Sequence, residues 1–434
     1  MASLFTNLET LLGAIQVKQI PVKTKFLLVG THAHQTTGYS KVTFHIVQEL
    51  AKYDHIDLYH FGFQKFVDPP PNYRPYPPNV NVYDTVVAER EKRAPPENGF
   101  GFSQLADYVQ TVQPNIIMIY NDAGVICQFL NKLSERFPQP SYKLFLYLDQ
   151  VYPIQRPDHL ERMNKDVTQY FVFTKYWQDV LRKQGITKPI SVLRHGFDKK
   201  QFLPLNREAM RRKHGIPENL FLILNMNRNT PRKRHDIVVR AFAELVARHP
   251  AKPLALLAVC DAGEQGGFPI HEIYVRELER LGISAQFHIH KLMISKTSMT
   301  YTDEMVNELY AISDIGITGA DGEGFGLCQF EAMGVGIPQV VPFIGGFRDF
   351  CRNQENSLTV VPKWRSYLPL AHSSVGGYVE IMEPHDLMLS AEEYLMDSEL
   401  RERHGRAARD TVVKYDWATE VRSLADAIRE SNCK

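Results

Sequence analysis

The chain has little cysteine: five residues in 434, Cys127, Cys260, Cys328, Cys351 and Cys433. The number is odd and no pair stands at zinc-finger or redox-motif spacing, which argues against a disulfide-stapled scaffold and a zinc finger. Five thiols in a chain of this size read as reduced, and so as cytoplasmic. The absence of any Asn-x-Ser/Thr sequon agrees with that expectation. No apolar run reaches the roughly 18 residues a bilayer span requires. Charge of one sign is also lacking: Lys plus Arg is 50, Asp plus Glu is 49, and the net charge is +1. No whole-protein field would draw in nucleic acid or an anionic membrane, so anionic ligands must be held by local clusters. Residues 1–20 have no basic n-region and are interrupted by Glu9, unlike a signal peptide. Leu4, Leu8, Leu11, Leu12 and Ile15 recur there at helical spacing. They suggest a helix packed on the protein's own surface, with membrane contact at most peripheral.

What is present is ordinary for a large globular chain: 44% hydrophobic and 23% charged residues. A length of 434 exceeds what one core usually supports, so two or three domains are expected. Short apolar runs alternate with helical periodicities. Residues 25–30, 56–61, 115–120, 143–148, 170–173 and 190–193 read as buried strands, and residues 40–53 as a helix. Residues 68–80 carry six prolines and exclude regular structure. The pattern then restarts: strands are expected at 220–225, 254–259, 285–289, 314–318 and 339–341, with a helix at 236–248. Such alternation predicts two doubly wound α/β domains. Their boundary falls near residue 198, where Arg194-His-Gly-Phe-Asp198 carries a glycine suited to a hinge. Two such domains leave a cleft at the carboxyl ends of their strands, where ligands bind in open α/β sheets.

Three clusters carry chemistry. Gly322-Glu-Gly-Phe-Gly326 follows a strand and feeds a helix expected from about Leu327 to Val335. Backbone N–H groups of Gly326, Leu327 and Cys328 would there face a phosphate or sugar hydroxyls. Glu323 and Glu331 have seven residues between them, and both can face one ligand if Glu331 lies two turns into the helix. Carboxylates suit vicinal hydroxyls, although Glu331 reads equally as a solvated helix residue. Next, Arg228 and Lys233 stand in a basic turn after the first strand of the second domain. Two cations at that strand end suit a leaving diphosphate, against the alternative of a solvated turn. Last, Thr31-His-Ala-His-Gln-Thr-Thr-Gly38 follows the first strand of the first domain. It lacks the Gly-x-Gly-x-x-Gly fingerprint of dinucleotide folds. The glycine before the helix would let a backbone N–H reach a phosphate. His32 with His34, and His288 with His290, alternate as zinc ligands sometimes do, but no third ligand stands at suitable spacing and no metal is expected.

Together these clusters resemble the retaining glycosyltransferases of family 4, which have the GT-B fold. The resemblance covers nearly the whole chain and is strongest in the second domain. Ser313-Asp314, Glu323-Gly-Phe-Gly-Leu327 and Glu331-Ala-Met-Gly-Val-Gly-Ile-Pro338 are similar to that family's donor-site motif. Arg228 with Lys233 resembles its phosphate-binding pair, and Gly345-Gly346 with Asp349 its next turn. His195-Gly-Phe-Asp198 resembles the interdomain segment, and Asp416-Trp417 opens what looks like the helix that crosses back to the first domain. The resemblance implies two Rossmann-like domains facing a cleft. Residues 1–198 would form an acceptor-side domain completed by 415–434, and residues 199–414 the donor domain. It implies retaining, metal-independent hexose transfer from GDP-mannose or a UDP-sugar to a glycan or other hydroxyl acceptor, without a further cofactor. Glu331 would hold the donor ribose, and Glu323, with Gly324, Phe325, Gly326, Leu327 and Cys328, the sugar and phosphate. Arg228, Lys233 and Gly38 would bind the diphosphate. The sequence departs from the family in one place: where many members carry a histidine at a first-domain strand end, this chain offers Asp149. An aspartate there suits a sugar hydroxyl or an acceptor proton, and suits a helix cap equally. Residues 291–305 and 362–377 are longer than typical connections and are candidates for shaping specificity. An inactive sugar-nucleotide-binding or scaffold protein of this fold, and a phosphorylase or epimerase, are the alternatives.

Overall fold

The computed structural model describes residues 23–432, apart from 69, 71–72, 264, 296–300 and 370–376. The N-terminal helix expected from Leu4 to Ile15 lies outside the described residues, as does Cys433.

Seven strands form the first sheet: β1 (Thr24–Thr31), β2 (Ile56–Phe63), β3 (Val80–Asp84), β4 (Ile116–Asp122), β5 (Lys143–Asp149), β6 (Gln169–Val172) and β7 (Ile190–Val192). Their order is β3-β2-β1-β4-β5-β6-β7, with every neighbouring pair parallel. The second sheet comprises β8 (Phe221–Met226), β9 (Leu254–Val259), β10 (Leu292–Ile294), β11 (Ile315–Ile317), β12 (Gln339–Pro342) and β13 (Ser357–Val360). It is likewise parallel, in the order β10-β9-β8-β11-β12-β13. Helices cover both faces, so the strands read as continuous apolar runs: Phe26, Leu27, Leu28 and Val29 of β1 are all buried. In each sheet the strand order reverses at the centre, between β1 and β4 and between β8 and β11. Such switch points are where α/β folds bind ligands.

One strand expectation fails, and the strands at Val80–Asp84, Leu292–Ile294, Ser357–Val360, Trp364–Leu368 and Gly377–Ile381 were not expected. Residues 285–289 alternate apolar and polar like a strand, but Ala285–His288 is a short helix with Phe287 exposed, and the edge strand is β10. Conversely, β3 follows the proline-rich stretch and was not expected. It is an edge strand with no buried residue, so no apolar run betrays it.

The helix Trp417–Asn432 returns to the first domain, packing on β1 and on the helix Gly38–Leu50. Val421, Leu424, Ala425 and Ile428 form its buried stripe at helical spacing. One apolar core runs from β1 through Phe173 and Phe197 into Phe325 and Phe330 of the second domain, and another lies between β8, β9 and the helices beside them. The segment 362–377 contributes β14 (Trp364–Leu368), which pairs antiparallel with β15 (Gly377–Ile381). Its Val379 packs against Tyr152 of the first domain. Among the described residues no helix is long and apolar enough to cross a membrane.

Candidate active site

Five segments meet at or beside the two switch points. From the first domain come the turn after β1, which leads to Gly38, and the ends of β4 and β5. From the second come the turn after β8 and the glycine-rich loop after β11. Between them lies a cavity of about 470 Å³. Gly38 and Lys41 line it on one side, and Arg228, Leu327, Cys328 and Glu331 on the other.

Local sequence explains the walls. Thr37 caps the helix Gly38–Leu50 by accepting from the Ser40 N–H, and the Ser40 hydroxyl closes the capping box. The first N–H groups of that helix therefore face the cavity with the positive end of its dipole. Opposite, the helix Leu327–Gly334 begins after Gly326, whose φ of +95° is a left-handed conformation open to glycine at little cost. Glu331 is buried in that helix, at 4% exposure, and faces the cavity. Lys41 Nζ donates to its Oε1 at 2.6 Å and the Tyr310 hydroxyl to its Oε2 at 3.1 Å. Lys41 also reaches Asp303 at 3.2 Å, and Arg74 grips the same Asp303 with two nitrogens at 3.0–3.1 Å. Burial pushes the Glu331 carboxyl above its ordinary range, with Lys41 opposing.

Glu323 sits differently. It is 8% exposed and does not line the cavity. Lys233 donates to its Oε2, and Arg232 stands 3.8 Å away. Burial alone would raise this carboxyl, but Lys233 and Arg232 overcome burial and hold it below its usual range. The backbone around it is pinned from the first domain: Trp177 Nε1 donates to the Gly324 carbonyl at 2.6 Å, and the Tyr152 hydroxyl to Asp321 Oδ1 at 2.8 Å. Asp149, at the end of β5, closes the group. Its Oδ2 accepts from the Tyr39 hydroxyl at 2.5 Å. Its Oδ1 lies so near Gly324 that a Cβ there would stand 2.1 Å away, so any side chain at 324 would displace the Asp149 carboxylate. Burial raises the Asp149 carboxyl to about 6, against the hydrogen bond from Tyr39.

The structure thus gathers the expected site residues into one interdomain region, most of them in two groups, with Gly326 capping the helix between them. Gly38, Arg228, Leu327, Cys328 and Glu331 border the cavity; Lys233, Glu323, Gly324 and Asp149 form a sealed cluster. Phe325 offers its ring to neither: it is buried against His195, Phe330 and Phe350. The sequence reading missed Lys41, Arg74, Asp303, Tyr310 and Tyr39, and it overlooked Arg232 beside Lys233. The basic turn was the signal that could have found Arg232. His32 is buried beside His34 and His60, and burial pushes its imidazole to about 2, a neutral packed ring. Among the described residues no group of three or more His, Cys, Asp or Glu is arranged to hold a metal ion.

D-inositol 3-phosphate glycosyltransferase 2 of Catenulispora acidiphila is 26% identical over 243 residues, 56% of this chain and 51% of that protein. The D-inositol 3-phosphate glycosyltransferase of Rhodococcus jostii is 30% identical over 172 residues, 39% of this chain and 36% of that one. The chain thus spans about half or less of the curated relatives it matches. Among solved structures, sucrose-phosphate synthase from Thermosynechococcus elongatus superposes with a TM-score of 0.69 at 14% identity, over 94% of this chain and 99% of that one. Anabaena HepE in complex with UDP-glucose gives 0.66 at 17%, over 94% and 99%. Over residues 206–368 the chain matches the family described as glycosyl transferases group 1, and its two domains have the GT-B fold.

Proposed function

We propose that this protein transfers a sugar from a nucleoside-diphosphate donor to a hydroxyl acceptor, with retention and without a bound metal. The observation that carries the reading is the arrangement of two buried glutamates on one glycine-rich loop and helix. Glu331 faces an interdomain cavity large enough for a nucleotide, and Glu323 lies beside the closed contact between the domains.

In this reading Glu331 accepts hydrogen bonds from the ribose hydroxyls. The diphosphate lies across the N-termini of the helices Leu327–Gly334 and Gly38–Leu50, with Arg228 on the rim. The sugar reaches toward Glu323, Lys233 and Asp149. As the C1–O bond breaks, charge builds on the departing phosphate, and Lys233, Arg228 and the helix N–H groups offset it where little water enters. These cations supply what a divalent ion supplies elsewhere. The acceptor hydroxyl attacks from the face the phosphate leaves, which gives retention. Its proton passes to the departing phosphate or to Asp149, whose raised carboxyl is poised near neutrality. UDP-glucose in the HepE structure and inositol phosphate in the names of the sequence relatives make a UDP-sugar and a phosphorylated polyol the first pair to test.

Calorimetry with UDP, GDP and ADP in excess EDTA tests the donor site. One nucleoside diphosphate is expected to bind and to raise the melting temperature. Failure of all three to bind would remove the cavity as a donor site.

A further inference from the structure

Asp149 ends β5 with its carboxylate buried and its two oxygens unlike one another. Oδ2 accepts from Tyr39 at 2.5 Å. Oδ1 has no hydrogen-bond partner among the described residues and stands against Gly324 of the second domain. Tyr39 lies in the first turn of the helix Gly38–Leu50, next to the glycine that borders the cavity, and its ring packs on Tyr120 at 5.2 Å. Its direction is therefore set by the same turn that would bind the donor. The groups facing Asp149 are Tyr39 from that helix, Tyr120 and Asp122 from β4, Arg232 from the basic turn and Glu323 from the glycine-rich loop. Only Tyr39 among them makes a hydrogen bond to the carboxylate.

A buried carboxylate with one oxygen held and the other bare is aimed. We propose that Tyr39 is a positioning residue: its hydroxyl fixes Asp149 so that Oδ1 stays aimed at the glycine-rich loop at Gly324, and so couples the Gly38 turn to the acceptor side of the cleft. That coupling rests on the proposed role of Asp149 in transfer. A phenol donating to a carboxylate favours the ionised form, so removing the hydroxyl makes Asp149 harder to ionise. Removing a packed ring alone would have no such consequence.

Tyr39→Phe keeps the ring and deletes the hydroxyl. The experiment follows the Asp149 carboxyl by carbon-13 NMR across pH 4–8 in the full chain, with the signal identified by its loss in Asp149→Asn. It then measures release of nucleoside diphosphate from UDP-glucose or GDP-mannose across the same range. In Tyr39→Phe the Asp149 titration moves to higher pH, the acid limb of turnover moves with it, and kcat falls about tenfold, as expected for one hydrogen bond to a charged group. KM for the donor changes little. An unmoved titration in Tyr39→Phe overturns the contact itself. A moved titration with wild-type turnover in both variants leaves the contact, overturns the coupling and removes Asp149 from the reaction. Lost turnover in Asp149→Asn beside an unshifted profile in Tyr39→Phe keeps Asp149 and overturns the positioning role.

Discussion

The two glutamates of the glycine-rich loop and its helix have the same chemistry and opposite surroundings. Glu331 shares one lysine with Asp303, so burial dominates and its carboxyl is raised. Glu323 faces Lys233 and Arg232, and those two cations outweigh burial and depress it. One end of the cleft opens on a cavity; the other is closed by Asp149, Tyr152 and Trp177. A binding end can stay accessible because hydroxyl recognition tolerates water. A reacting end gains from excluding it, because electrostatic stabilisation weakens in a high dielectric.

The largest expected effect breaks the closed end. Lys233→Ala should lower turnover by about 10²-fold or more, since it removes a charge that opposes the one developing on the leaving group. Turnover is compared with wild type after a thermal melt has shown that the variant is folded; near-normal turnover would make the basic turn a solvated face. At the open end, Glu331→Gln should weaken nucleoside diphosphate binding by about tenfold or more, the order of one charge-assisted hydrogen bond. Calorimetry reads this directly, and unchanged affinity would take Glu331 out of the ribose site.

Acid should act on the closed end first. The Asp149 carboxyl stands at about 6 against an ordinary 3.8, so it is ionised above pH 6 and takes a proton as pH falls through that value. Turnover that needs the ionised form is therefore retained above about pH 6 and lost below it, and a pH–rate profile with no limb there would count against Asp149 as a proton acceptor. A smaller effect is expected from Tyr152→Phe, which deletes one interdomain hydrogen bond and should lower thermal stability by about 1 kcal/mol. The smallest is chelation: excess EDTA should leave turnover within about twofold.

Much of this was legible locally. Parallel strands buried on both faces leave apolar runs, so β1, β5, β8 and β9 could be read directly. The glycine-rich loop and the basic turn stand out because both follow strand ends, where open α/β sheets bind ligands. The misread segment at 285–289 has a strand's alternation but sits at the surface with Phe287 exposed, so period alone misled. Lys41 with Glu331 and Arg74 with Asp303 are separated by 290 and 229 residues. No local pattern announces such pairs. Arg74 lay in a proline-rich stretch that read only as irregular, and Tyr39 stood beside Gly38 without a reason to notice it until β5 brought Asp149 to its hydroxyl.

The most direct test is proton NMR of the anomeric signal while purified protein in excess EDTA turns over UDP-glucose or GDP-mannose, with water or a polyol phosphate as acceptor. The account predicts release of the nucleoside diphosphate and a first-formed product with the anomeric configuration of the donor. A first-formed product of inverted configuration, or no turnover of either donor until a divalent metal is restored, would contradict it.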